Sequence, residues 1–325
     1  QQERCKRWDR RFTDYNCNRR SRQVASPFEP GIGHTSTKSY DRCIYNLLAR
    51  VKGPVMSSDA PVRRLRLHHL LKKADEGTPL TMLTAYDALT GAIFDRAGVD
   101  MLLIGDSMGN VVLGYDSTHR VTIEDVVSAT GAVARSSRRV FIVADLPFGT
   151  YEADSRDAFS NSVRLIKAGA QAVKLEGGAA RADTVRLLTS GGIPVMGHLG
   201  YTPQSEHALG GPRMQGRGKG TERMIADAKA LESAGAFMIV LEMVPAAIAK
   251  RVTESVSIPT IGIGAGPHCD GQVLVWSDMA GMTDWIPSFA HRFANLGAEL
   301  ESAAADYVKA VEDGSFPYPG NYTEE

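Results

Sequence analysis

From residue 80 onward, short continuous apolar runs recur, each followed by a polar or glycine-rich turn and then by a longer amphipathic stretch. The runs fall at 80–84, 101–105, 140–144, 172–175, 194–197, 237–241, 259–263 and 273–277. Helical periodicity fills the intervals 87–97, 123–135, 155–168, 181–190, 221–234 and 245–256. A short amphipathic helix, 66–73, precedes the first run, and 288–313 reads as helical after the last. Strands that are apolar throughout, rather than alternating, are buried on both faces, which indicates a parallel sheet. Eight such cycles predict an α/β fold, a (β/α)8 TIM barrel of roughly 250 residues, with an N-terminal helix and extra C-terminal helices. The rival is a doubly wound open sheet. It is disfavoured because polar residues follow nearly every strand and not only those at one switch point.

Local signals agree with this division. Gly98, Gly169 and Gly235 stand where helices must stop. Thr122 with Asp125 three residues on is an N-cap pattern. In 87–97, Ala88, Ala92, Ile93 and Ala97 share one face, the expected inward one. The run Gly262-Ile263-Gly264-Ala265-Gly266 resembles a nucleotide loop only weakly, with no Gly-Lys-Ser/Thr after it. A tight turn out of a strand is the plainer reading.

Composition narrows the function. The chain has 325 residues, 43% hydrophobic and 23% charged, ample for one large core. Formal net charge is +0, so no general field draws it to nucleic acid or an anionic membrane. No apolar stretch approaches the roughly 20 residues that span a bilayer. The four cysteines, Cys5, Cys17, Cys43 and Cys269, form no C-x-x-C pair, so the default is a reducing, cytoplasmic setting without disulfides or zinc. Residues 1–61 differ from the rest: weak apolar periodicity, a cluster from Arg4 to Arg22, and a linker-like 57–61. They read as an atypical or poorly ordered extension ahead of one catalytic domain, 62–325. An Arg-rich, Ser-containing leader also fits a mitochondrial transit segment, with Asp9 and Asp14 counting against it.

The chemistry gathers at the strand ends. In a barrel of this kind the active site forms at the C-terminal ends of the strands. Those ends would present Asp106, Ser107, Asp145, Lys174, Glu176, His198 and Glu242. In Val173-Lys174-Leu175-Glu176, alternation points Lys174 and Glu176 the same way, and Val173 and Leu175 into apolar packing. A structural ion pair inside the barrel explains this pair alone as well as chemistry does. Three acids on successive strands, Asp106, Asp145 and Glu176, are harder to explain as caps or hinges. Left bare they would repel, and a hard divalent cation with oxygen ligands and several waters, magnesium, relieves this. His198 reads as a ligand, a substrate donor or a satisfied core histidine. Glu242, among Val240, Leu241, Met243 and Val244, reads as a general base with a raised pKa or as a cap before Pro245. A metal, a lysine and a separate base suit enolisation of a 2-oxo acid, with metal and Lys174 stabilising the enolate.

Ten motifs run in order: Leu83-Thr84-Ala85-Tyr86-Asp87, Gly105-Asp106-Ser107-Met108-Gly109, Gly114-Tyr115-Asp116-Ser117-Thr118, Ala144-Asp145-Leu146-Pro147-Phe148, Val173-Lys174-Leu175-Glu176-Gly177-Gly178, Gly197-His198-Leu199-Gly200-Tyr201-Thr202-Pro203-Gln204-Ser205, Gln215-Gly216-Arg217-Gly218, Leu241-Glu242-Met243-Val244-Pro245, Gly262-Ile263-Gly264-Ala265-Gly266 and Asp270-Gly271-Gln272-Val273. Over residues 64–317 the chain thereby resembles the ketopantoate hydroxymethyltransferases (3-methyl-2-oxobutanoate hydroxymethyltransferases). The resemblance implies transfer of a hydroxymethyl group from 5,10-methylenetetrahydrofolate to 3-methyl-2-oxobutanoate through a magnesium-stabilised enolate. The product is 2-dehydropantoate, for pantothenate and coenzyme A synthesis. It implies that Asp106, Asp145 and Glu176 hold Mg2+, that Asp106, Ser107, Asp145 and Lys174 contact the oxo acid, and that Glu242 accepts the proton. His198 matches a position near the substrate. It also implies a homo-oligomer, often a decamer of stacked pentamers. A magnesium-dependent lyase or mutase of 2-oxo acids on a similar barrel is the alternative, separated by folate dependence. The tail after Phe316-Pro317 departs from the family pattern, and residues 1–60 have no family counterpart. The loop 200–220 is long enough to be a lid, whose Arg213, Arg217 and Lys219 meet a folate tail or only solvent.

Overall fold

Eight parallel strands close on themselves in chain order in the computed structural model, which describes residues 63–323. They are β1 (Leu80–Thr84), β2 (Met101–Ile104), β3 (Phe141–Asp145), β4 (Ala172–Glu176), β5 (Val195–Gly200), β6 (Met238–Glu242), β7 (Thr260–Ile263) and β8 (Gly271–Leu274). β8 pairs with β1 and completes the barrel. The expectations for residues 1–61, including Cys5, Cys17, Cys43 and the leader, lie outside the described residues. Cys269 is a free thiol, and among the described residues no helix is long and apolar enough to cross a membrane.

Two apolar layers follow from strand alternation. Val173, Leu175, Ile142 and Leu102 point outward into the layer shared with the helices. Met101, Phe141, Val143, Met196 and Val240 fill the barrel interior, with Leu70 of the helix Leu67–Asp75 among them. That helix packs its one fully buried residue against the layer made by the strand starts, so the N-terminal mouth is plugged and the C-terminal mouth is left for chemistry.

The start and stop signals act as read. Thr122 and Asp125 form a reciprocal capping box on the helix Ile123–Ser136. Gly98 adopts φ 89°, the left-handed conformation that ends the helix Ala88–Ala97 at no Cβ cost. The glycine run after β7 makes its turn, with Gly266 packed against Ala246.

Three expectations need correction. In the helix Ala88–Ala97 the inward residues are Gly91 and Phe94, while Ile93 and Ala97 are exposed. Phe94 is the bulkiest apolar side chain there, and it sets the inward face. The eighth strand is Gly271–Leu274, not 273–277, and Trp276–Ala280 is a short helix that carries Asp278. The apolar run spans the end of a strand and the start of a helix, which periodicity cannot divide. The C-terminal helix is Leu296–Glu312, so 288–295 is not helical. The chain there folds over the C-terminal mouth, with Phe289 against Gly264 and Trp285, Pro287 and Phe289 lining the cavity.

Candidate active site

A cavity of about 600 Å³ opens at the C-terminal mouth, and Asp106, Ser107, Asp145, Lys174, Glu176, His198 and Glu242 all line it. Strand register explains the convergence. In parallel pairing Asp145 lies beside Lys174, and Glu176 beside His198. Glu242 is two residues beyond Val240, the partner of His198, so it faces the same interior. Every candidate taken from the strand ends is therefore brought to one place.

Lys174 Nζ lies 2.6 Å from Asp145 Oδ1, with both side chains buried. Asp145 Oδ2 accepts from the backbone N–H of Asp106 at 3.1 Å. His198 Nδ1 is 3.3 Å from Lys174 Nζ and 3.3 Å from Glu176 Oε1. It accepts from the ammonium when neutral and donates to the carboxylate when charged. On the other side, His198 Nε2 lies 3.2 Å from Glu242 Oε2. The Glu242 side chain is 17% exposed, the most accessible of the paired groups. It caps no helix: the helix Ala246–Ser255 begins after Pro245 without a side-chain cap.

Burial pushes the Asp106 carboxyl up to about 8, reinforced by the charges of Asp145 and Glu176. Burial likewise raises Asp145, against the opposing pull of Lys174. Burial works against the Lys174 ammonium, but the three carboxylates outweigh it and hold the lysine protonated well above its ordinary range. His198 rises to about 9: burial and Lys174 oppose its charge, while Glu176 and Glu242 favour it more strongly.

The acid cluster fits a hard cation. Asp145 Oδ1 and Glu176 Oε1 are buried without a well-formed hydrogen bond, the former close to Lys174 and the latter 3.3 Å from His198 Nδ1, both off hydrogen-bond geometry. An anionic oxygen buried in that state is costly. Among the described residues no three His, Cys, Asp or Glu side chains form a ready-made metal cage. Magnesium does not need one, because it keeps several waters and takes few protein carboxylates.

Linkage gives a direction to test. The folded pKa of His198 lies above its unfolded value of about 6.5, so its stabilisation is complete below that value and is lost as pH rises through about 9. Asp106 keeps its proton in the fold up to about 8 but releases it near 4 when unfolded. Folding therefore also weakens as pH rises between those values. In EDTA the melting temperature is expected to fall between pH 6 and 9.5, and Mg2+ is expected to flatten the decline. A metal-free melting temperature that rises across the same window would contradict these assignments.

Sequence reasoning missed several uncharged partners. Tyr86 O–H lies 2.9 Å from Ser107 Oγ. Gln204 and Tyr151, both buried, bridge the acid cluster. Gln204 stood inside a quoted motif, but nothing local marks a glutamine that acts on an aspartate 98 residues away. Met243 adopts φ 48°, rare for a non-glycine residue, directly after Glu242. Gly200 (φ 98°) packs so tightly against the end of β6 that a Cβ there would lie 2.1 Å from the Glu242 carbonyl oxygen. Of the proposed lid, Tyr201, Thr202 and Gln204 are buried, while Arg213, Arg217 and Lys219 are exposed to solvent.

A family model described as ketopantoate hydroxymethyltransferase matches residues 64–319. The 3-methyl-2-oxobutanoate hydroxymethyltransferase of Leifsonia xyli subsp. xyli is 52% identical over 272 residues, covering 82% of this chain and 98% of that protein. The enzyme of that name from Saccharopolyspora erythraea is 54% identical over 259 residues, covering 79% and 88%. A solved phosphonopyruvate hydrolase in complex with oxalate and Mg2+ shares the fold, with TM-score 0.54 and 13% identity over 80% of this chain and 92% of that one. At that identity the likeness concerns fold alone, and it adds little to the lyase or mutase alternative. The curated relatives are bacterial and lend no support to a mitochondrial leader. From residue 64 to residue 319, the chain belongs to the ketopantoate hydroxymethyltransferase family.

Proposed function

We propose that the protein transfers a hydroxymethyl group from 5,10-methylenetetrahydrofolate to 3-methyl-2-oxobutanoate, giving 2-dehydropantoate. The observation that carries this reading is one barrel mouth where three buried carboxylates and a protonated lysine face a separate, more accessible carboxylate. A magnesium ion held by Asp106, Asp145 and Glu176 would polarise the ketone and acidify the adjacent C–H.

The division of labour follows from the charges. Lys174 remains protonated, so it serves as a fixed positive charge near the oxo acid and not as a base. Asp106, Asp145 and Glu176 face one another and the lysine. Glu242 is left to take the proton from C3 of the substrate. His198 Nε2 stands 3.2 Å from one Glu242 oxygen, off hydrogen-bond geometry, and so sits directly beside the base. Ser107, oriented by Tyr86, offers a hydroxyl to the oxo acid. C3 then bonds to the one-carbon unit, that unit's bonds to the two folate nitrogens break, and water supplies the hydroxyl oxygen; tetrahydrofolate leaves with two protons on those nitrogens, one from water and one returned by Glu242. Formation of 2-dehydropantoate that requires both Mg2+ and the folate tests this. Turnover of a 2-oxo acid without folate would favour the lyase or mutase reading.

The same proposal places residues 62–325 as the catalytic domain of a cytoplasmic homo-oligomer. Its structural support is the helix Leu296–Glu312, which buries none of its residues. Leu300, Tyr307, Val308 and Val311 stand exposed along it at helical spacing, Leu300 by 63%. A second copy of the chain would cover that stripe. Leu300→Glu with Tyr307→Glu is expected to lower the mass measured by light scattering while leaving helix content unchanged. An unchanged mass would remove this helix from the interface.

A further inference from the structure

We propose that Gln204 is a positioning residue that aims two of the three carboxylates, Asp106 and Glu176, at the bound cation and oxo acid. This rests on the functional reading above. Gln204 lies on the loop after β5, only 4% exposed. Its side-chain Nε2 donates to Asp106 Oδ2 at 2.8 Å and to the carbonyl oxygen of Leu146 at 3.0 Å. Its backbone N–H donates to Glu176 Oε2 at 3.0 Å. One residue thus ties one oxygen of each of two acids that come from different strands.

The direction of the amide is determined and not accidental. The Tyr151 hydroxyl donates to Gln204 Oε1 at 2.5 Å, while its oxygen accepts from the Glu176 N–H at 3.2 Å. A tyrosine has one proton to give. It goes to the near amide oxygen rather than to the Glu176 carbonyl at 3.5 Å. With Oε1 so engaged, the NH2 of Gln204 must face Asp106. The backbone is pinned as well: His119 Nε2 lies 2.9 Å from the Gln204 carbonyl oxygen. That oxygen only accepts, so Nε2 carries a proton, and Nδ1 lies 2.6 Å from the Ser117 hydroxyl. Groups from three strand-end loops therefore converge on Gln204. Its two acids are held at one oxygen each, and Glu176 Oε1 has no well-formed hydrogen bond, with only His198 Nδ1 near it at 3.3 Å. Partners that orient carboxylate ligands in this way set metal affinity.

The test uses the full chain and Mn2+ as the probe. Free Mn2+ is followed by electron paramagnetic resonance, with and without 3-methyl-2-oxobutanoate. Gln204→Met keeps the shape and the backbone donor but removes the side-chain tie. Tyr151→Phe removes the hydroxyl that directs the amide and, with it, the acceptor of the Glu176 N–H. Gln204→Met is expected to weaken Mn2+ binding by about 10- to 100-fold, and Tyr151→Phe to weaken it less, in the same direction. A merely structural residue would lower the melting temperature and leave the Mn2+ affinity of the folded protein unchanged. If Gln204→Met does not fold, Tyr151→Phe decides. Wild-type affinity in the folded variants overturns the positioning role alone. Absence of Mn2+ binding by the wild-type protein overturns the cation site and the positioning role with it.

Discussion

Glu242→Gln is expected to lower turnover by about a hundred- to ten-thousand-fold, the range for removing a general base. The amide keeps the side chain's size and its contact with His198 Nε2 at 3.2 Å. What it loses is the capacity to hold a proton. Cation and oxo-acid binding are expected to remain within a few-fold of wild type, because the charged partner of Glu242 is His198 and not a proposed cation ligand. The fall therefore belongs to kcat rather than KM. Steady-state kinetics beside Mn2+ titration read both halves. Persistent turnover would move the base elsewhere, and a matching loss of cation binding would make Glu242 part of the metal site.

Lys174→Met has the second large effect, and it separates the two readings of that residue. Lys174 is 3% exposed, and its ammonium is the positive partner of three buried acids. Removing one side of a buried ion pair costs about 3–5 kcal/mol, because the other side stays charged and alone. A barrel of this size should then melt roughly ten degrees lower in EDTA. Saturating Mg2+ supplies positive charge to the same acids and is expected to recover much of that stability. Turnover is expected to stay down by about a hundred- to a thousand-fold, as when one preorganised electrostatic partner of the reacting group is lost. If Mg2+ restored both stability and turnover, Lys174 would be only the structural partner that its sequence context equally allows.

Much of this site was legible because its signals are local. An apolar run followed by an acid marks a strand end, and Asp106, Asp145, Glu176 and Glu242 each carry that mark. Alternation along β4 placed Lys174 and Glu176 on one side, and both face the cavity. Signals that depend on the distant chain were not legible. Gln204 and Tyr151 are uncharged loop residues, and their role exists only once the loops after β2, β3 and β5 meet the end of β4. The eighth strand was misplaced because Val273, Leu274, Val275 and Trp276 read as one apolar run, although the strand ends within it. The inward face of Ala88–Ala97 was misjudged because alanines weigh little against one phenylalanine, Phe94. The non-helical stretch before Leu296 was hidden for a related reason: Phe289 suits a helix face as well as the cavity wall where it stands.

Proton exchange at C3 of 3-methyl-2-oxobutanoate is the most direct test that this barrel mouth enolises a 2-oxo acid. The protein, Mg2+ and the oxo acid are incubated in heavy water without folate, and the C3 hydrogen is followed by NMR. Loss of the C3 signal that depends on Mg2+ and disappears in Glu242→Gln is the expected result. A C3 signal that persists with folded protein and saturating Mg2+, both alone and with tetrahydrofolate present to complete the site, would contradict it.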